Sequence, residues 1–185
     1  MKKNLIALLI VALVSVGLFA ADPATANDSF TVTTSISGIN NMKVTTTAVG
    51  TDGKTYSQLA DFSNYAINSA SDLSPSAPIA YLSTQTNNRN GYKISLTVTA
   101  MKSPGATTAT DSYINYTIFL GTDTTGLATG NGTEKTKSDV IQQGALGGLT
   151  EKSYPIKIAV KDADEYAAAV EGSYTGTVTF NYTAL

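Results

Sequence analysis

Apolar and polar residues alternate along four stretches of the chain. Tyr92, Ile94, Leu96 and Val98 are interleaved with Lys93, Ser95, Thr97 and Thr99. Tyr154, Ile156, Ile158 and Val160 are interleaved with Pro155, Lys157, Ala159 and Lys161. Near the C-terminus Tyr174, Gly176, Val178, Phe180 and Tyr182 alternate with Ser173, Thr175, Thr177, Thr179 and Asn181. At 29–37, Phe30, Val32 and Ile36 share one face, with Thr34 as its one polar member. A period of two puts each apolar set on one side of a pleated strand. Further strands are expected near 42–49, 79–85 and 112–120, the last apolar on both faces and therefore central.

Turn signals separate these runs: Asp52-Gly53, Asn90-Gly91, Pro104-Gly105, Asn131-Gly132 and Gly147-Gly148. Stretches 57–74 and 133–146 lack alternation and read as short helices or long loops. Residues 162–172 open with acidic residues and stop at Gly172, which predicts a short helical turn. About seven short strands with such punctuation predict an all-β, immunoglobulin-like antiparallel β-sandwich. With no internal repeat or linker, 27–185 is expected to form one domain.

The N-terminus has a different pattern. Lys2 and Lys3 precede an apolar run over 5–19, too short for the roughly 20 residues of a membrane span. Small residues and Pro23 follow, so 1–26 reads as a secretory signal peptide cleaved after Ala24-Thr25-Ala26, with cleavage after Ala20 or Ala21 as the alternative. The protein is expected to be exported, with no integral membrane segment after cleavage.

Composition narrows the chemistry. The chain has no Cys and no His, which removes a disulfide framework, a lipid-modified Cys, an imidazole base and an ordinary zinc site. Loss of Lys2, Lys3 and Asp22 moves the formal net charge from −2 to about −3, with the lysines scattered, which argues against nucleic acid. One carboxylate, Asp123, in the Gly- and Thr-rich stretch 121–133 is too little charge for a calcium cage. Asp162, Asp164, Glu165 and Glu171 include enough carboxylates for a glycosidase pair, yet acidic residues at a helix start have an electrostatic explanation of their own. No catalytic residue, metal ligand or cofactor is expected. The ten tyrosines read mainly as core or core-edge residues, and the other reading is a sugar-binding patch.

The two ends carry the functional signal. An amphipathic strand just after the cleavage site, in 27–37, has the apolar spacing of a segment that can leave its own domain and complete the sheet of another. Ser29-Phe30-Thr31-Val32-Thr33-Thr34-Ser35-Ile36 resembles the N-terminal donor segment of colonisation-factor-type (alpha-class) fimbrial major subunits, which also lack cysteine. The closing run 171–180, with its Gly-x-Tyr-x-Gly pattern, resembles that family's last strand. The resemblance covers the ends only. It implies a non-enzymatic, pilin-like adhesive subunit of the periplasm, cell surface or fimbrium, polymerised with like subunits by donor-strand complementation, with a periplasmic chaperone and an outer-membrane usher as partners. Phe30, Val32, Thr34 and Ile36 would then be the donated side chains, and Tyr174, Gly176, Val178, Phe180 and Tyr182 the closing strand beside the groove. The alternative is a monomeric secreted β-sandwich module that binds a carbohydrate or surface ligand, with 29–37 as its own first strand.

Overall fold

A computed structural model describes residues 30–67, 77–103, 113–161 and 163–185. The signal-peptide reading, the cleavage sites, Asp162 and the Pro104-Gly105 turn lie outside those residues. The chain divides at Ser35–Ile36 into two units. Of the first unit, 30–35 has no regular element, and Phe30 and Val32 are 88% and 80% exposed. The strand expected over 29–37 is therefore not formed at 30–37. A lone amphipathic strand leaves its amides and carbonyls unpaired and is not stable without a neighbouring edge.

The second unit is all-β and antiparallel throughout. Its strands are β1 (Asn40–Thr45), β2 (Ala80–Thr86), β3 (Tyr92–Val98), β4 (Met101–Lys102), β5 (Tyr113–Ile114), β6 (Tyr116–Leu120), β7 (Leu127–Ala128), β8 (Lys135–Gln143), β9 (Thr150–Val160) and β10 (Val178–Ala184). They form a five-stranded sheet in the order β1-β2-β9-β6-β7, a three-stranded sheet β10-β3-β8, and the pair β4-β5. Two short 3-10 turns, Thr51–Gly53 and Tyr56–Gln58, follow β1, and the one α-helix among the described residues, α1, spans Ala163–Ala167. No helix among the described residues is long and apolar enough to cross a membrane.

One apolar core joins the two larger sheets. Leu82, Ile118, Ile156 and Ile158 come from the five-stranded sheet and Ile94, Leu96 and Val98 from the three-stranded one, all nearly free of solvent. The inward residues of β3 and β9 are the apolar members of their alternation, with the polar members on the opposite face.

Three elements depart from the pattern read in the sequence. The closing strand begins at Val178, so Tyr174 and Gly176 precede it and do not lie on it. The stretch 133–146 contains the nine-residue strand β8. Its register against β3 slips between Ile94 and Leu96, and Asp139 takes a positive φ there. The slip places two extra residues in β8 without reversing its faces; Lys135 and Lys137 stand opposite the inward Val98 and Leu96, and these polar residues at core-side positions erase the alternation. The single strand expected near 112–120 is two strands, because the chain leaves β4 at Ile114 and joins β9 at Tyr116.

Strand directions define two ends of the second unit. Residues 37–40, 87–91, 143–149 and Leu185 gather where β3 begins, because Tyr92 pairs with both Ala184 and Gln143. We call this the Asn87 end. The opposite, Gly176 end holds Ala80, Val98, Tyr116, Val160 and the residues leading into β10.

Candidate functional site

The last strand is an edge strand with a core on one face and no neighbour on one side. β10 pairs only with β3 in its sheet. The Thr99 amide donates to the Thr177 carbonyl (3.0 Å), and the Leu185 amide to the Gly91 carbonyl (3.0 Å). These bonds assign the odd-numbered residues of the run to the β3 side of the antiparallel ladder. The amides and carbonyls of Val178, Phe180 and Tyr182 therefore point away from β3, and among the described residues they meet no partner.

The side chains of the same three residues face the core, with Thr179, Asn181 and Thr183 exposed. Val178 and Phe180 are only half-buried. Beside them a groove of about 390 Å³ opens between β10 and the five-stranded sheet. Val44, Ile118, Ile156 and Ile158 line it from the sheet, Phe62 and Ile79 from segments outside the strands, and Val178 and Phe180 from β10. Ser63, Asn64 and Thr175 supply polar groups to its lining.

Each end of β10 is fixed. At the Asn87 end the Tyr182 hydroxyl lies 2.9 Å from Asn40 Oδ1 and 3.1 Å from Thr86 Oγ1, bridging to β1 and β2. Its ring stacks on Tyr92 with centroids 5.0 Å apart. Toward the Gly176 end, Thr175 and Lys102 exchange backbone hydrogen bonds of 2.9 and 3.1 Å. Gly176 permits this approach: a Cβ there would lie 2.9 Å from the Thr99 carbonyl oxygen and 3.1 Å from the Met101 amide.

Tyr116 forms part of the groove lining. Its hydroxyl donates to the Thr99 carbonyl at 2.8 Å, and burial pushes its pKa up to about 12. Tyr154 is likewise raised, first by burial and then by its hydrogen bond with Tyr92. Both of these phenols are neutral at any physiological pH.

Tyr174, Gly176, Val178 and Phe180 thus line one groove, and Tyr182 ties its strand down. Phe30, Val32, Thr34 and Ile36 are exposed and belong to no strand, with Ile36 at 84% exposure. Sequence reasoning did not find Val44, Phe62, Ile67 and Ile79, although three apolar residues at 59, 62 and 67 in a stretch without alternation were a trace of a buried irregular segment.

Two of the carboxylates, Glu165 and Asp123, have structural occupations. Glu165 accepts from the Asn115 amide at 3.2 Å and from Asn115 Nδ2 at 2.6 Å. Asn115 Nδ2 also reaches Asn131 Oδ1, and its Oδ1 accepts from Thr129 Oγ1 at 3.0 Å. This network fastens α1 to the switch between β5 and β6. Asp123 accepts from Lys137 Nζ at 2.6 Å and from the Thr125 and Gly126 amides. Partial burial alone would raise its pKa, and these hydrogen bonds together with the Lys137 charge hold it below the ordinary carboxylate value. Among the described residues no three acidic side chains gather as a metal site would require.

No protein-family model matches the chain, and neither the curated proteins nor the solved structures contain a match to it.

Proposed function

We propose that this is a non-enzymatic, immunoglobulin-like β-sandwich of the cell envelope, exported by its N-terminal signal and working as a pilin-like adhesive subunit. Segment 27–37 of one copy completes the sheet of the next. The observation that carries the reading is the free edge of β10, where Val178 and Phe180 stand half-buried beside an apolar groove. The complementary object in the same chain is an exposed run with Phe30, Val32 and Ile36 on one face.

The energetics suit a preformed groove. Burying three large apolar side chains contributes roughly 5–9 kcal/mol, and ladder bonds to the free groups of Val178 and Phe180 add to it. Association costs about 4–15 kcal/mol of translational and rotational freedom. A durable polymer therefore needs an acceptor that stays open without collapsing, which is the task of a periplasmic chaperone before an outer-membrane usher releases the subunit.

Direction follows from the closed end. A donor antiparallel to β10 lies with Phe30 toward Phe180 and leaves at the Gly176 end with Ile36. Thr34 then falls opposite Gly176, which offers no side chain for an apolar residue to pack on, and this accounts for a hydroxyl on an otherwise apolar face. A parallel donor would have to leave past the Tyr182 bridge.

The test uses the full mature chain. Multimers should form as concentration rises, and a synthetic peptide of residues 28–37 should suppress them. The Val32→Lys chain should stay folded and monomeric yet bind that peptide. A native chain that is monomeric at every concentration, or a Val32→Lys chain that unfolds, overturns the reading and favours the monomeric binding module.

A further inference from the structure

The inference here rests on the donated segment proposed above and concerns the surface behind it. Only Ser37 and Gly38 separate the last donated residue, Ile36, from Ile39. Ile39 is held within its own subunit: its amide donates to Asn87 Oδ1 at 2.6 Å, and Asn87 Nδ2 donates to the Ser37 carbonyl at 2.9 Å. Three extended residues span at most about 10 Å. When Ile36 leaves the acceptor's groove at its Gly176 end, the donor's Asn87 end must therefore abut that end of the acceptor.

The Asn87 end has the features of a contact surface. A cleft of about 790 Å³ there is lined by Ile36, Ile39, Leu146 and Leu149 together with Arg89. Leu149 is 57% exposed, a large apolar side chain in solvent next to the still more exposed Ile36. Arg89 is the chain's single arginine, and its exposed guanidinium has no partner among the described residues.

A carboxylate stands at the opposite end. Glu171 is exposed in the turn that precedes the groove-lining Tyr174. That turn is pinned near the groove by the Tyr174 hydroxyl donating to the Val170 carbonyl at 2.9 Å. The close approach of Gly172, where a Cβ would lie 3.0 Å from Ser103 Oγ, holds its other side.

We propose that the cleft at the Asn87 end is a second interface between copies of this chain, docking on the groove mouth of the acceptor with Arg89 against Glu171. The donated strand supplies the durable bond. The cleft sets the angle between successive subunits and steers their encounter, since a charge pair at the rim of an interface acts mainly on the association rate.

The experiment compares assembly of the full mature chain with that of Arg89→Glu, Glu171→Arg and the double variant. Each single reversal should slow multimer formation about tenfold at low ionic strength, and the double variant should assemble at close to the native rate. The difference should shrink in roughly 1 M salt, where the screening length is about 3 Å. Binding of peptide 28–37 to the Val32→Lys chain should be the same with and without Arg89→Glu, because the peptide carries no cleft. Peptide binding with native assembly rates for the single reversals, or a double variant slower than both, overturns this interface and leaves the donated strand standing. Loss of peptide binding in the Val32→Lys chain that retains Arg89 overturns the donated strand, and this interface with it.

Discussion

The Tyr182 hydroxyl sits 2.9 Å from Asn40 Oδ1, joining the last strand to the first across 142 positions of sequence. The bridge spans the gap between the two larger sheets at one end of β10, and the Tyr116 hydroxyl on the Thr99 carbonyl crosses between them at the other. The groove beside Val178 and Phe180 lies between these ties. A groove held at both ends is already shaped before anything enters it.

Tyr182→Phe keeps the ring stacked on Tyr92 and deletes only the hydroxyl. One net hydrogen bond predicts a loss of about 0.5–1.5 kcal/mol, read by chemical denaturation of the monomer. Asn40 Oδ1 retains the Thr86 hydroxyl as donor at 2.8 Å, so the loss should lie toward the lower figure. A loss above about 3 kcal/mol, the cost of an orphaned buried group, would show that Thr86 does not compensate.

Phe180→Ala separates the monomer from the assembly. In the monomer the side chain is half-buried, so truncation should cost about 1.5–3 kcal/mol, less than the 3–5 of a fully buried Phe. Under a donated strand the same ring becomes fully buried and its absence leaves a cavity. Multimer stability should therefore fall further than monomer stability, which thermal melts of the two species would reveal.

Much of this architecture was legible because a period of two is a local property. Ile94, Leu96, Ile156 and Ile158 are buried where the alternation puts them. The strand β8 was hidden because Lys135 and Lys137 occupy its core-side positions opposite Val98 and Leu96, and because an edge strand has few apolar residues to alternate. The far wall of the groove was hidden for another reason. Phe62 and Ile67 belong to an irregular segment whose position depends on tertiary bonds, such as the Phe62 amide to the Val44 carbonyl at 2.9 Å. No pairwise spacing in the sequence encodes such a contact. The groove residues of β10 were legible because they lie on the strand itself.

Asp123→Asn gives a pH signature. The folded carboxylate titrates below the ordinary value, so its contribution is present above an unfolded pKa near 3.9 and disappears as pH falls through the folded one. The ion pair with Lys137 is partly exposed, which limits the loss in the variant to about 0.5–1 kcal/mol at neutral pH. The gap between native and variant stabilities should close below about pH 4. A gap that widened in acid would contradict the assignment.

Gly176→Ala probes the mouth of the groove. The position needs glycine for space rather than for an unusual φ. An added methyl would face the Thr99 carbonyl oxygen at 2.9 Å and the Met101 amide at 3.1 Å, both backbone atoms that cannot rotate away. Thr99 is further constrained because its carbonyl receives the Tyr116 hydroxyl. The strain has to be relieved by moving 174–177 away from the Thr99–Met101 segment, which disturbs the paired bonds between Thr175 and Lys102. Overpacking of this kind costs typically 1–3 kcal/mol, and the displaced segment would change the groove mouth that Thr34 of an incoming strand meets at position 176. Stability and affinity for peptide 28–37 should fall together. Gly147→Ala is the control, since an added Cβ there meets nothing within 4 Å. It should leave stability within about 0.5 kcal/mol of native and peptide affinity unchanged. If Gly176→Ala lowers stability and spares peptide affinity, the lead-in to β10 packs the fold without shaping the groove.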